Sequence, residues 1–307
     1  MTRGPLIPAQ EDFSDLAYSL RRPRALFSWM MSVITGAMTF AALVPLFSVL
    51  YLLITRGGKT LGLATFRELP PAALVPGGGF GNAIVGTVVM VAIAALLSVP
   101  FGILAAIFIS EFGPDTRTAQ AVEFCAKVLT GLPSILAGVF AYAAVVVVTG
   151  GFSAPAGGIA LAILMLPTVL LTAEEAIKRV PPKMREAAIG MGATPTQVVT
   201  RVVLPTALPG VATGIMLAVA RAAGETAPLL FTALFSDYWI SRTSPEFLPK
   251  TLGELMKPTA SLAVLIYNFS GSPFDNQIDL AWAAALVLVA IVLIVNVAGR
   301  ALARRSG

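Results

Sequence analysis

Charged residues fall so unevenly along the chain that the gaps between them mark out its elements. No charge occurs between Ala25 and Thr55, which predicts a helix over 28–54. A hydrocarbon core of about 30 Å needs about 20 apolar residues in a helix, so this one spans a bilayer. Residues 69–110 are also uncharged; Pro70, Pro71 and the glycine run of Pro76–Asn82 make their first part loop and leave a helix over 83–110. The uncharged stretch 128–173 has 46 residues, enough for two spans, with a break where glycine and proline cluster at Thr149–Gly158. Helices are therefore predicted over 122–148 and 158–178, with a fifth over 206–235 and a sixth over 280–300. Alternation of strand type is absent, which argues against a β-barrel.

The expected fold is an all-α polytopic membrane protein: six transmembrane helices within 28–300, a tail over 1–27 and another over 301–307. The outer connections are 56–82 and 236–279, and an inner connection covers 179–205. The second outer connection has 44 residues, longer than ordinary loops, and is expected to hold helix of its own or to serve a partner. The first 26 residues are polar and mix acids with arginines, unlike a signal peptide.

Composition agrees with the pattern. Of 307 residues, 57% are apolar and only 12% charged, against about 25% charged in a soluble domain. There is no histidine, which removes Ser-His triads and imidazole metal ligands, and the single Cys125 forms neither an internal disulfide nor a thiolate metal site. The net charge of +5 reads as topology bias rather than affinity for nucleic acid. With six spans, 14 of the 21 lysines and arginines fall on the side of the two tails and six on the other, with Arg221 inside a span. The positive-inside rule then places both termini in the cytoplasm.

Two glycine-rich segments carry no chemistry. Gly57-Gly58-Lys59-Thr60 resembles the end of a phosphate-binding loop, but the first glycine of that pattern is replaced by Leu53 and a membrane helix precedes it. The run Gly77-Gly78-Gly79-Phe80-Gly81 lacks dinucleotide-binding spacing and reads as a turn. The chain is expected to hold no ATPase site, metal or cofactor of its own.

The inner connection is more informative. Glu186-Ala187-Ala188 favours helix, Gly190 and Gly192 end it, and Thr194 followed by Pro195 starts another. Two short helices around a glycine break exceed what passage between spans requires, and point to a docking element for a cytosolic partner. Glu186, Ala187, Ala188, Gly192, Leu204 and Pro205, with Val202 in an isoleucine position, fall on the spacing of the EAA loop. In this the chain resembles ABC importer permeases of the MetI-like type, in which that loop seats in a groove of a separate ATPase.

Arg221 and Glu225 stand four apart on the fifth predicted helix and share one face. An ionisable group near mid-bilayer costs about 2.5–3.5 kcal/mol on insertion scales, so it should face the bundle interior or a water-filled path. One reading is a structural ion pair. Another is a cation on the path of an anion, steadied by Glu225; a permanently charged planar fork suits a tetrahedral oxyanion, and a third, a proton relay, is weakened because arginine does not release its proton. Gly210 and Gly214 are expected to serve close helix packing, and Asn296 an interhelical hydrogen bond or the interface.

The stretch Ala220–Ala233, with Arg221-Ala222-Ala223-Gly224-Glu225-Thr226-Ala227-Pro228-Leu229-Leu230, is similar to phosphate (Pst) importer permeases of the PstA type. Val99-Pro100-Phe101-Gly102, Gly131-Leu132-Pro133-Ser134-Ile135, Leu166-Pro167 and Glu174-Glu175 extend the likeness over about 80–300. Leu171 departs from it, since many relatives carry arginine there. The resemblance implies a permease of a bacterial inner membrane, paired with a PstC-like permease, a PstB-like ATPase dimer that binds ATP and Mg, and a PstS-like phosphate-binding protein. Permeases for sulfate or molybdate, and a secondary anion transporter or channel, are the alternatives.

Overall fold

The structure, a computed structural model, describes residues 23–240 and 252–305. The described residues form helices and turns, without strands. They divide into two units, one up to Leu52 and the other from Leu53 onward. The first contributes α1, Pro23–Leu52, an apolar helix long enough to span a bilayer.

In the second unit, α2 is Gly81–Ile107 and continues into a π-helical turn, Phe108–Phe112. Next come α3, Arg117–Thr130, and α4, Ser134–Ala141, which runs through another π turn to Thr149. After them come α5, Ala154–Lys178, and the short α6, Pro182–Gly190. The one-turn α7, Pro195–Val198, passes through a π turn, Val199–Val203, into α8, Leu204–Ala223. Then follow α9, Ala227–Thr232, α10, Leu262–Ser270, and α11, Asp275–Arg305. Counted by length and apolarity, the described residues hold five spans, or six with α3 and α4 taken as one bent span.

Two expected straight spans are broken. The helix expected over 122–148 is α3 and α4, which meet at 107°. Pro133 has no amide to donate and disfavours helix at Leu132, so the chain turns at Gly131-Leu132-Pro133. The helix expected over 206–235 begins earlier, at Pro195, and stops at Ala223. Pro228 cannot bond the carbonyl four residues back, at Gly224, and instead sits in the first turn of α9. The fourth span starts earlier than expected: Ser153 caps α5 by accepting from Ala156 N, and Gly157 and Gly158 lie inside the helix. The sixth is longer at both ends.

α5 is the most buried span, and small residues let its neighbours reach it. A Cβ on Gly158 would lie 2.5 Å from Ile93, and one on Gly102 would lie 2.8 Å from Val169, so α2 runs parallel to α5 at close range. Gly210 packs on Ala176 and Gly214 on Thr172, so α8 runs antiparallel to it. Met90, Leu161, Met165, Val169, Ala218 and Leu229 fill the core between them. Gly210 and Gly214 are thus the packing pair expected. Asn296 instead donates to Val292 O of its own helix, 2.9 Å away, which satisfies the amide without a neighbour.

The outer connections are ordered where described. The second holds α10, as its length required, tied to α2 by Leu262 N donating to Thr87 Oγ1 at 2.9 Å. Asn82 donates to Ser236 O at 2.9 Å, and beside it burial raises the Asp237 carboxyl above its ordinary pKa. The first is pinned by Asn276, which donates to Val75 O at 2.9 Å.

Candidate translocation path and coupling loop

The inner elbow is built as its residue types dictate. α6 carries Glu186, Ala187 and Ala188, and its chain reverses at Gly192, whose φ of +85° is a left-handed conformation that glycine adopts without a Cβ penalty. Thr194 and Gln197 form a reciprocal capping box: Gln197 N donates to Thr194 Oγ1, and Thr194 N to Gln197 Oε1 at 2.9 Å. Pro195 occupies the first turn of α7, and Leu204 and Pro205 open α8. Ala188, Val198 and Val203 point inward onto Ile177 and Val180. Glu186 and Ala187 point out, and so do Ile189 and Met191, at 60% and 83% exposure. Large apolar side chains left open on a rigid elbow at the end of two spans form a surface that needs a partner.

One residue that the sequence reading counted only as a positive charge anchors this elbow. Arg185 donates to Val180 O at 2.6 Å and to Ile177 O at 3.0 Å, carbonyls at the end of α5. It also reaches Glu111, in the π turn ending α2, at 2.7 and 3.2 Å. The signal was present: Glu111 is the first charge after an uncharged run of 42 residues, 69–110. A partner 74 positions away is not visible in local pattern.

α8 presents an open stripe at helical spacing: Thr206, Gly210, Thr213, Leu217 and Arg221. Beside it, α5 offers Thr172, Glu175 and Arg179, the last two paired at 2.6 Å. Between the helices lies a groove of about 430 Å³ lined by Thr172, Glu175, Arg179, Thr206, Thr213 and Leu217. Open apolar positions elsewhere on the spans include Leu96, Phe101, Leu104, Phe140 and Leu293. A threonine-rich face with charges at its end does not suit hydrocarbon; it suits water or another protein.

Arg221 lies one turn beyond the groove, in the last turn of α8, where a cation complements the helix dipole. The antiparallel register of α8 on α5 carries it level with Met165, near the middle of α5, although α8 itself ends there. Glu225 stands past the helix end. Its Oε1 is 3.6 Å from Arg221 Nε, an ion pair without hydrogen-bond contact. The guanidinium is half exposed while the carboxylate is largely covered. The fork is thus held from one side and open on the other. Glu186 and its neighbours do not join this site; from Leu204 to Arg221 the helix rises about 26 Å.

This bundle, with an inner elbow leading directly into the helix that carries the charged residue, is that of an ABC importer permease. Two solved transporters share the fold. The MetNI methionine ABC transporter aligns with a TM-score of 0.56 at 20% identity, covering 75% of this chain and 94% of that one. A bacterial alginate ABC transporter aligns with a TM-score of 0.62 at 16% identity, covering 94% and 98%. The chain belongs to the family of binding-protein-dependent transport system inner membrane components, whose family model matches residues 98–307. Within it the chain is similar to the phosphate transport system permease protein PstA of Yersinia pestis, 38% identical over 82% of this chain and 81% of that protein. PstA of Pasteurella multocida is 36% identical over 90% and 94%, and a probable PstA of Methanocaldococcus jannaschii 35% identical over 86% and 89%.

Proposed function

We infer that this chain is one permease subunit of an ATP-driven importer of inorganic phosphate. The observation that carries the reading is the continuity of α7 and α8. One helical rod starts at the exposed elbow and ends at the half-open Arg221 fork, so a push at one end is felt at the other. The similarity to PstA proteins supports phosphate as the cargo.

The groove between α5 and α8 faces a second permease, PstC-like, and the two chains enclose the path. A PstB-like ATPase dimer, which binds ATP and Mg, seats Ile189 and Met191; a PstS-like phosphate-binding protein delivers at the other face. The arginine bias places both termini in the cytoplasm of a bacterial inner membrane. The chain contributes no catalytic step. Its elbow converts closure of the ATPase into rotation of α5 and α8, and Arg221 offers a fixed charge and donor fork to a phosphate oxygen, with Glu225 limiting the strength of that contact so that release follows binding. Uptake of radiolabelled phosphate by proteoliposomes holding the whole transporter, in competition with sulfate, molybdate and arsenate, tests the reading. ATP-dependent phosphate uptake that sulfate and molybdate do not suppress is expected; uptake of another oxyanion, or uptake that ignores ATP, overturns it.

A further inference from the structure

The elbow is joined by the chain itself to α5 and α8 only. Yet the Arg185 guanidinium spends two bonds on backbone carbonyls, Ile177 O in the last turn of α5 and Val180 O just past it, and two on the Glu111 carboxylate in the π turn ending α2. The Glu111 and Arg185 side chains are 10% and 22% exposed, so the pair is substantially shielded from water. Satisfying α5 needs no Glu111. The extra contact fastens the inner end of a third span, one that packs closely along α5 through Gly102. It also falls within a π turn, Phe108–Phe112, as the other side of the elbow enters α8 through the π turn Val199–Val203. Such turns hold looser geometry than α-helix and recur at functional sites.

On the reading that the chain is an ATP-driven permease, we propose that Glu111 and Arg185 are positioning residues that make the inner end of α2 part of the lever moved by α6. The π turn at Phe108–Phe112 passes that shift into the membrane-embedded part of α2, which moves together with α5 through their close packing at Gly102. The ATPase stroke thereby reaches three spans, and the path opens only when all three move together.

The test uses the whole transporter in proteoliposomes. Phosphate imported and ATP hydrolysed are measured together for Glu111→Gln, Glu111→Asp and Arg185→Gln. Subunits are expected to co-purify as in the wild type and ATP hydrolysis to continue, while phosphate imported per ATP falls about fivefold or more in Glu111→Gln and Arg185→Gln. Glu111→Asp, which keeps the charge on a shorter arm, should lie between. Assembled variants with the wild-type ratio overturn the proposal. A second measurement needs no change at either residue. Spin labels on Phe112→Cys and Lys183→Cys, in a Cys125→Ser background, report the distance from α2 to α6. It should stay constant on nucleotide binding; separation of the labels overturns the tie. A wild-type transporter that hydrolyses ATP without importing phosphate overturns the functional reading instead, and the distance still decides the tie.

Discussion

The role proposed for Arg221 rests on what fails to surround it. Glu225 approaches on one side at 3.6 Å, and about half of the Arg221 side chain stays exposed. Arg221→Gln should leave the transporter assembled and lower phosphate uptake about tenfold or more, the worth of a charge-assisted hydrogen bond. Uptake by the purified complex checks this, and undiminished transport would reduce the residue to a structural role. Arg221→Lys should recover little, since an ammonium lacks the planar fork. Gly192 is constrained differently: a Cβ there would meet nothing within 4 Å, so its backbone, at φ +85°, is the whole reason for glycine. Gly192→Val should cost about 1–2 kcal/mol at the elbow and weaken ATPase recruitment, whereas Gly192→Asn, tolerated in that conformation, should cost less. Co-purification of the ATPase with the two variants, ranked against wild type, is the measurement; equal recruitment in all three removes the elbow's need for that turn. Both residues were legible beforehand, because a charge inside an apolar run and a glycine between two helix signals are local statements. The Glu111–Arg185 pair was not, since nothing local links two residues from separate hydrophilic ends.

At the scale of elements, the all-helical spanning architecture was legible and the continuity of the spans was not. Absence of charge measures how long the chain stays in hydrocarbon, and it is blind to whether the helix survives there. Pro133 and Pro228 break their spans without adding a charge, whereas Pro100, Pro167 and Pro209 are carried within theirs. Proline alone does not separate the two groups; the broken spans also have glycine close by on the N-terminal side, at Gly131 and Gly224, where a helix ends easily. The α5–α8 contact is a firmer basis for prediction. A Cβ on Gly214 would collide with the Thr172 side chain, and one on Gly210 would lie 2.8 Å from Ala176. Gly214→Val should force the helices apart and destabilise the bundle by about 1–3 kcal/mol, while Gly210→Ala should be milder because its groove side is open. Thermal unfolding of the detergent-solubilised transporter ranks them, and a Gly214→Val protein as stable as wild type would show that α8 does not depend on this approach.

For the whole molecule the decisive feature is a surface in the wrong solvent. The stripe from Thr206 to Arg221, with Thr172, Glu175 and Arg179 beside it, is polar at depths where the opposite faces carry Leu96, Phe101, Leu104 and Phe140. The hydroxyls already bond carbonyls of their own helices and the charges are paired, but ion pairs facing hydrocarbon still carry a desolvation cost that a second permease and a column of water would remove. The two solvents are distinguished by thiol chemistry, because a maleimide reacts with a thiolate and thiolates form only where water reaches. In a Cys125→Ser background, cysteine at Thr213 or Leu217 should react with a small water-soluble maleimide in the assembled transporter. Cysteine at Leu104 or Phe140 should stay unlabelled. Nucleotide that turns the path to the other side should change the rate at Thr213 and leave the lipid-facing positions alone. Equal labelling of both sets, or none at Thr213 in any nucleotide state, would mean that the groove is packed shut or faces lipid. Arg221 would then hold Glu225 and nothing else, and the path would have to run elsewhere.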